Sequence, residues 1–337
     1  MATRTDSADQ IQKTPFVKEL AASDRKTRDK ALESLSRFLR ARRDLSLLEL
    51  LKIWKGLFFC FYHSDRPLTQ QALARELSYT LVPSLPRESR LRFLRAFWIT
   101  IGRDFHALDR VRLDKYLFLI RCYVGVAFEV YLKGKISPSD NNGIAEDGQK
   151  KRKRQDKKDK KANGKRRKQS TEEEEEESTH HEEEEEEEED GTEKWSALES
   201  YITLLENGPL CPINFDPTEN DGSKKSEEDS IPMPHGPDGL RYHITDIWLD
   251  ELAKVIDKDE DGSNEVALKD RYDIPMDLLL RPFEKLNKES PTKSVRQRAS
   301  EEVLKDERLV QWGFKEKVVE DDNSEEDEDE EWGGLDD

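Results

Sequence analysis

Between Tyr116 and Leu132 the chain reads YLFLIRCYVGVAFEVYL, and only Arg121, Gly125 and Glu129 interrupt an apolar and aromatic run. A helix that is apolar nearly all round has no face to give to water, so other helices must surround it. The rival use of such a run is a membrane span. The unbroken apolar pieces on either side of Arg121 fall well short of the roughly 20 residues a bilayer requires. Both charges would also lie at membrane depth, where each is costly. The pattern therefore predicts a central core helix.

Helical periodicity extends over the whole stretch from Pro15 to Leu132. Ser23 is positioned to cap a helix running to about Arg42, with Leu32, Leu35 and Leu39 on one side. A second helix begins near Ser46 and carries Leu50, Leu51, Ile53, Trp54 and Leu57 into FFCFY. His63-Ser64-Asp65-Arg66-Pro67 reads as a turn in which Ser64 or Asp65 caps the next helix and Pro67 occupies its first turn. That third helix is expected to stop at Val82-Pro83. A fourth follows Pro86, with Leu91, Leu94, Trp98, Ile101, Phe105 and Leu108 at spacings of three and four. No alternating strand pattern bounded by hairpin turns is present in this stretch. The predicted fold class is all-α, stacked antiparallel helices of HEAT or armadillo type, since a helix pair of roughly 40 residues matches that repeat length. No repeated residue motif accompanies the length, so an irregular bundle is the alternative.

After Gly134 the composition changes. Ile136 to Gln149 is rich in Ser, Pro, Asn, Gly and Asp; KKRKRQDKKDKKANGKRRK follows at 150–168, then glutamate tracts at 172–177 and 182–190. Such charge blocks repel themselves and are expected to be disordered. Helical periodicity returns at Lys194–Leu205, then in LRYHITDIWLDELAKVI, where Leu240, Ile244, Ile247, Trp248, Leu252 and Val255 share one side. Short helices are expected at Met276–Asn287 and Thr292–Asp306. The predicted organisation is a disordered terminus (1–14), a basic α-helical domain (15–134), a disordered linker with basic and acidic tracts (135–193), short docking helices and loops (194–312), and an acidic disordered tail (313–337). The later helices are too few and too spread for a second core and should dock on the first domain or on a partner.

Composition sharpens this division. The 337-residue chain is 34% hydrophobic and 39% charged, so a large part of it cannot bury a core. Its net charge of −18 conceals an asymmetry: residues 1–134 carry 25 Lys and Arg against 15 Asp and Glu, a net +10, which leaves −28 for the rest. A basic folded part joined to acidic arms points to nucleic acid or an acidic partner. The opening MATRTDSADQ has no apolar signal region, which predicts a chain outside the secretory route. Cys60, Cys122 and Cys211 make no disulfide framework and fit a reducing compartment.

Catalytic motifs are sparse. Cys60 and His63 form a C-x-x-H without a second pair at zinc spacing, and the apolar FFCFY setting raises a thiol pKa rather than activating it. No phosphate-binding glycine loop, G-x-S-x-G or H-E-x-x-H occurs. Asp257 to Gly262 matches the opening of a calcium loop, but Leu268 stands where a bidentate Glu belongs, so an acidic linker is the better reading. Ser324, followed by Glu325-Glu326-Asp327, has the form of an acidophilic-kinase target. The expectation is a protein with no catalytic residues, no metal and no cofactor.

The charged surface is more informative. Lys26, Lys30, Arg37 and Arg40 fall on one side of the first long helix, away from its leucines; Arg92, Arg95, Arg103 and His106 do the same on the fourth. These lysines and arginines are the candidate RNA-phosphate contacts, against the plainer reading of a solvated face. No base-reading module is present. Two basic clusters, Lys150, Lys151, Arg152, Lys153 and Arg154, then Lys165, Arg166, Arg167 and Lys168, have the form of a bipartite import signal, which implies an import receptor and a nuclear location. Trp195, Trp248 and Trp312 are candidate anchors for docking the later helices on the domain or on partners.

Three runs, TRDKALESLSRFLRAR at 27–42, LLKIWKGLFFCFYHSDRPL at 50–68 and LDRVRLDKYLFLIRCYV at 108–124, resemble the eukaryotic ribosomal RNA-processing protein 1 family. GLRYHITDIWLDEL at 239–252 is similar to that family's second block. The resemblance implies a non-enzymatic nucleolar scaffold of 60S subunit biogenesis (pre-60S particles), needed for processing of the large-subunit precursor RNA. It also implies pre-ribosomal RNA and other assembly factors, a WD40 propeller and a Brix-domain protein among them, as partners. Read from the residues alone, the chain is a basic helical nuclear adaptor; its glutamate tracts leave open an acidic chaperone for histones or ribosomal proteins.

Overall fold

Ser46 opens a helix with a complete capping box: its hydroxyl accepts from the Glu49 N–H while the Glu49 carboxylate accepts from the Ser46 N–H. Both orphan donors of the first turn are thereby satisfied, and α2 (Leu47–Tyr62) follows. The computed structural model describes residues 19, 20, 22, 24–137, 194–213, 236–256 and 267–316. The basic clusters, the glutamate tracts, Asp257 to Gly262 and Ser324 lie outside them.

Among the described residues the structure is helical, without a β-strand. Before α2 comes α1 (Arg25–Ala41), capped by Asp24 rather than by Ser23. After it come α3 (Pro67–Arg75), α4 (Leu81–Ser84), α5 (Arg87–Asp104) and α6 (Arg110–Phe128). Past the linker lie α7 (Ser196–Glu206), α8 (Asp238–Ile256), α9 (Leu268–Arg271), α10 (Met276–Glu289), α11 (Lys293–Ala299) and α12 (Glu307–Gln311). Neither Ser64 nor Asp65 caps α3; Arg66 precedes it without a side-chain cap, and Pro67 takes the first position. The third helix also runs past Val82, because a π turn at Glu76–Thr80 joins α3 to α4. The regular hydrogen-bond ladder is already interrupted there, so Pro83, which has no N–H, is tolerated. Further π turns, Glu129–Lys133 and Ser300–Leu304, extend α6 and α11.

Trp54 of α2 is the hub of the first half. Its ring lies 5.2 Å from Phe93, 5.0 Å from Phe97 and 5.4 Å from Tyr123, and its indole N–H donates to the Phe93 carbonyl at 3.2 Å. Phe97 and Tyr123 stack at 3.8 Å. Two tyrosines one heptad apart on α6 donate outward to main-chain carbonyls, Tyr116 to Phe58 at 2.9 Å and Tyr123 to Leu77 at 2.8 Å. A buried hydroxyl needs such a partner, and these bonds set the rotation of α6 against α2 and the π turn.

The central helix is enclosed as its composition requires, and two of its three interruptions, Arg121 and Gly125, meet the same neighbour. Arg121, Gly125 and Glu129 recur every four residues, so they form one stripe, and α8 packs along that side. Arg121 bridges to Asp250 at 2.8 Å and also pairs with Glu251, which is only 1% exposed and takes a second cation from Lys254 at 2.6 Å. Gly125 is required at the crossing: a Cβ there would sit 2.2 Å from the Tyr79 hydroxyl and 2.8 Å from a Glu251 oxygen.

All six apolar positions expected to share one side of α8 are buried. Trp248 meets Phe128 of α6 at 4.9 Å and Phe283 of α10 at 5.0 Å, and Tyr131 stacks on Tyr201 at 5.6 Å. One apolar core therefore runs from Leu20 to Trp312. The main pairings, α2 with α5 and α6 with α8, join helices that are not neighbours in sequence. The fold is all-α, and these pairings establish no HEAT or armadillo repeat.

Candidate nucleic-acid interface

The two basic helices present their cations differently. On α1, Lys26, Lys30, Arg37 and Arg40 are all exposed. Arg37 pairs with Glu33 one turn away, and the Arg40 guanidinium donates to the Ser84 hydroxyl at 3.0 Å, leaning α1 on α4. On α5 the fold takes up the side chains. Arg92 is half-buried and donates to the Leu45 carbonyl at 2.9 Å, holding the turn that leads into α2. Arg95 is half-buried too. Arg103 is exposed, with its guanidinium forked onto Asp104 at 2.8 and 2.7 Å, and that hydrogen-bonded carboxylate raises its pKa. The outward positive charge thus belongs chiefly to α1.

Sequence periodicity missed part of that patch. Arg42 and Arg43 follow α1 and are exposed, and the Arg40–Ser84 contact brings the end of α1 to the start of α5, where Arg87 is exposed as well. Arg42 lies over the Phe38 ring at 5.6 Å and pairs with Asp44 at 3.6 Å. The RARRD run at 40–44 was the available signal. A small cavity of about 180 Å³ between α1 and the π turn includes Arg37 and Arg40 but also Glu33 and Glu76. Burial, and the negative Asp29, push the Glu76 carboxyl upward. Its mixed lining makes it a poor phosphate pocket.

Other cations are internal fastenings. Arg28 is 7% exposed and donates to the Ala22 carbonyl at 2.8 Å. Lys115 donates to the carbonyls of Tyr62 at 2.7 Å and Ser64 at 3.0 Å, closing the end of α2, while the Arg112 guanidinium lies 4.1 Å from the centre of the Tyr62 ring. Burial lowers the Lys115 pKa. These bonds join Ser64-Asp65-Arg66-Pro67 to Arg112-Leu113-Asp114-Lys115, two of the runs that distinguish the sequence. They are structural clasps.

Cys60 and His63 do not form a site: Cys60 is buried, its thiol pushed up to about 11 by burial, and His63 is exposed at the end of α2. Of the three tryptophans, Trp248 has no exposed surface and Trp312 is 6% exposed, so both are spent inside this chain and leave no face for a partner. Trp195 alone is half-buried, with the Lys194 ammonium 4.9 Å from its ring centre. All nine residues of the import-type clusters lie outside the described residues.

An all-α protein with a basic outer helix and a core stitched by internal cations is the class that these features define. The chain belongs to the family described as "Nucleolar protein, Nop52", which matches residues 11–142 and 194–337. It is 36% identical over 245 residues to human Ribosomal RNA processing protein 1 homolog B, covering 71% of this chain and 22% of that protein. It is 39% identical over 120 residues to the mouse homolog B (34% of this chain, 17% of that protein) and 35% identical over 135 residues to human homolog A (39% and 29%). The chain thus spans less than a third of the length of these curated relatives. The family resemblance of the three sequence runs holds, and membership gives the chain a nucleolar location. Among the described residues no helix is long and apolar enough to cross a membrane.

Proposed function

We propose that the protein is a non-enzymatic scaffold in ribosomal RNA processing, acting on the large-subunit precursor within 60S assembly. Family membership over both matched segments carries this reading, and the relatives' names supply the process. Pre-ribosomal RNA lies along α1, where Lys26, Lys30, Arg37 and Arg40, joined by Arg43, meet phosphates without reading bases. Arg92, Arg95 and Arg103 on α5 are further candidate phosphate contacts, Arg103 being the exposed one, while Arg92 also holds the turn into α2. The tracts at 150–154 and 165–168 recruit the import receptor, and WD40 and Brix-domain assembly factors are the protein partners that the family suggests.

Reversing Lys26, Lys30, Arg40 and Arg43 to Glu tests the RNA contact. Four lost phosphate contacts flatten the slope of log affinity against log salt by about 3, with only a small fall in melting temperature, because all four are exposed and the Arg40 hydrogen bond to Ser84 is the fastening given up. Unchanged affinity and slope in this variant refute the α1 contact. The −28 charge outside residues 1–134 favours the acidic-chaperone alternative. Deleting 172–190 abolishes client binding on that reading and spares particle association on the first.

A further inference from the structure

The outward side of α2 carries Leu48, Lys52, Lys55, Phe59 and Tyr62 at spacings of four and three residues, which places them in one stripe. We infer that this stripe seats the chain's own acidic tail, with Trp332 against the Phe59 ring and glutamates of the tail along the lysines.

The stripe is open and positive. Leu48 is 49% exposed and Phe59 39%, and Lys55 between them is exposed and makes no ion pair among the described residues. Phe59 meets Tyr62 at 6.4 Å and Tyr62 meets His63 at 5.6 Å, with the Arg112 guanidinium over Tyr62, so rings and a cation continue beyond the lysines. The neighbouring carboxylates are already taken. Glu49, the one acidic residue of α2, is buried in its capping box; Arg103 holds Asp104, Arg112 holds Asp109, and Lys115 lies 3.9 Å from Asp65. A ligand for this surface therefore brings negative charge together with an apolar or aromatic group.

The tail has that composition, and in the same order. Twelve of the eighteen residues 320–337 are Asp or Glu and none is Lys or Arg; the seven acids at 325–331 lead directly into Trp332. On α2 two lysines lead in the same way into Phe59 and Tyr62. In an extended chain Glu328, Glu330 and Trp332 share a face and span about 13 Å; Lys52 to Phe59 spans about 10 Å of helix. The glutamate tracts at 172–177 and 182–190 hold no large apolar side chain, and on α1 the Phe38 ring is covered by Arg42 at 5.6 Å. The 16 residues from Glu316 to Trp332 reach roughly 53 Å at most, about three times the radius of gyration of about 17 Å expected for about 200 packed residues. A tethered segment also competes at an effective concentration on the order of millimolar, and the family match runs through residue 337, past the last described helix. A tail so seated excludes other polyanions from α2 and leaves α1 open.

The test replaces Phe59 in the full chain by the photocrosslinker p-benzoylphenylalanine, irradiates the protein at two concentrations tenfold apart and maps the links by mass spectrometry. Links to 320–337 are expected at equal yield at both concentrations, and at least tenfold less often when the same probe replaces Leu68, which is 81% exposed on α3. Trp332→Ala should lower the yield at least fivefold. Lys55→Glu should do the same without a change in melting temperature, and adding Glu330→Lys to Lys55→Glu should restore it. Links absent from 320–337, a yield in Trp332→Ala within twofold of wild type, or a charge exchange that fails to restore the yield overturns the assignment. Links that grow with concentration mean that a second copy supplies the tail, and links to 172–190 in its place mean that charge alone decides; either result overturns the choice of occupant.

Discussion

Replacing Trp248 by alanine removes the side chain that touches both halves of the molecule at once. The indole has no exposed surface and meets Phe128 and Phe283 in edge-on geometry at 4.9 and 5.0 Å. Truncating a fully buried tryptophan destabilises a protein by about 3–5 kcal/mol, which includes the void left behind. At roughly 2–4 °C per kcal/mol for a fold of this size, the melting temperature should fall by roughly 6–20 °C. Trp248→Phe separates packing from polarity: the indole N–H has no hydrogen-bond partner, so the phenylalanine forfeits volume alone, about 1–2 kcal/mol. Far-UV circular dichroism follows total helix, and near-UV signals follow the packed aromatic side chains of both halves, Trp54 and Trp98 in the first and Trp312 in the second among them. If α6 and α8 share one core, both probes report a single transition that moves together. A shift under 2 °C in the alanine variant, or a near-UV transition that stays put while part of the helix melts early, refutes the shared core.

Two further outcomes follow from fastenings elsewhere. Residues 137 and 194 meet at one place, since Lys135 donates to the Lys194 carbonyl at 2.6 Å and Lys194 to the Ser137 hydroxyl at 2.8 Å. Exchanging 138–193 for about six Gly and Ser residues should therefore leave the melting temperature unchanged or higher, loop closure adding at most about 2 kcal/mol; nuclear entry should fail in cells, and a lower melting temperature contradicts the clamped ends. His243 is half-buried, with its Nε2 2.8 Å from the Leu117 carbonyl, and burial holds its pKa below the ordinary 6.5. A depressed histidine contributes stability above its unfolded pKa and loses it as pH falls toward the folded value. Denaturation midpoints should thus drop below about pH 6.5, and His243→Gln should flatten that slope; an equal slope in both proteins assigns the acid sensitivity elsewhere.

Much of the architecture was legible because it is local. Ser46 and Glu49 stand at capping-box spacing, Pro67 occupies a first helical turn, and the apolar stripe of α8 is buried as its spacing demands. What periodicity cannot carry is which helix meets which. Arg121 and Gly125 read as blemishes on a core helix, although they mark where α8 lies. The arginines of α5 share one side, as predicted, but whether a guanidinium faces water or turns back depends on carbonyls distant in sequence, such as Leu45 for Arg92. The tryptophans were found by type, while their burial inside the chain follows from tertiary packing alone. A cleft beside Trp195, lined also by Ser137, Tyr272 and Phe314, has no sequence signature, because its walls come from four separate segments.

The pairing of α6 with α8 also has a consequence for synthesis. α6 ends at Phe128 and its mate starts at Asp238, so at about 5–20 residues per second the ribosome needs on the order of 5–20 s to make the interval. Throughout that wait the flank of α6 that carries Phe128 lacks the helix that buries it. The closing of this core is therefore set by the pace of synthesis, and Arg121 waits as long for Asp250 as Phe128 does for Trp248.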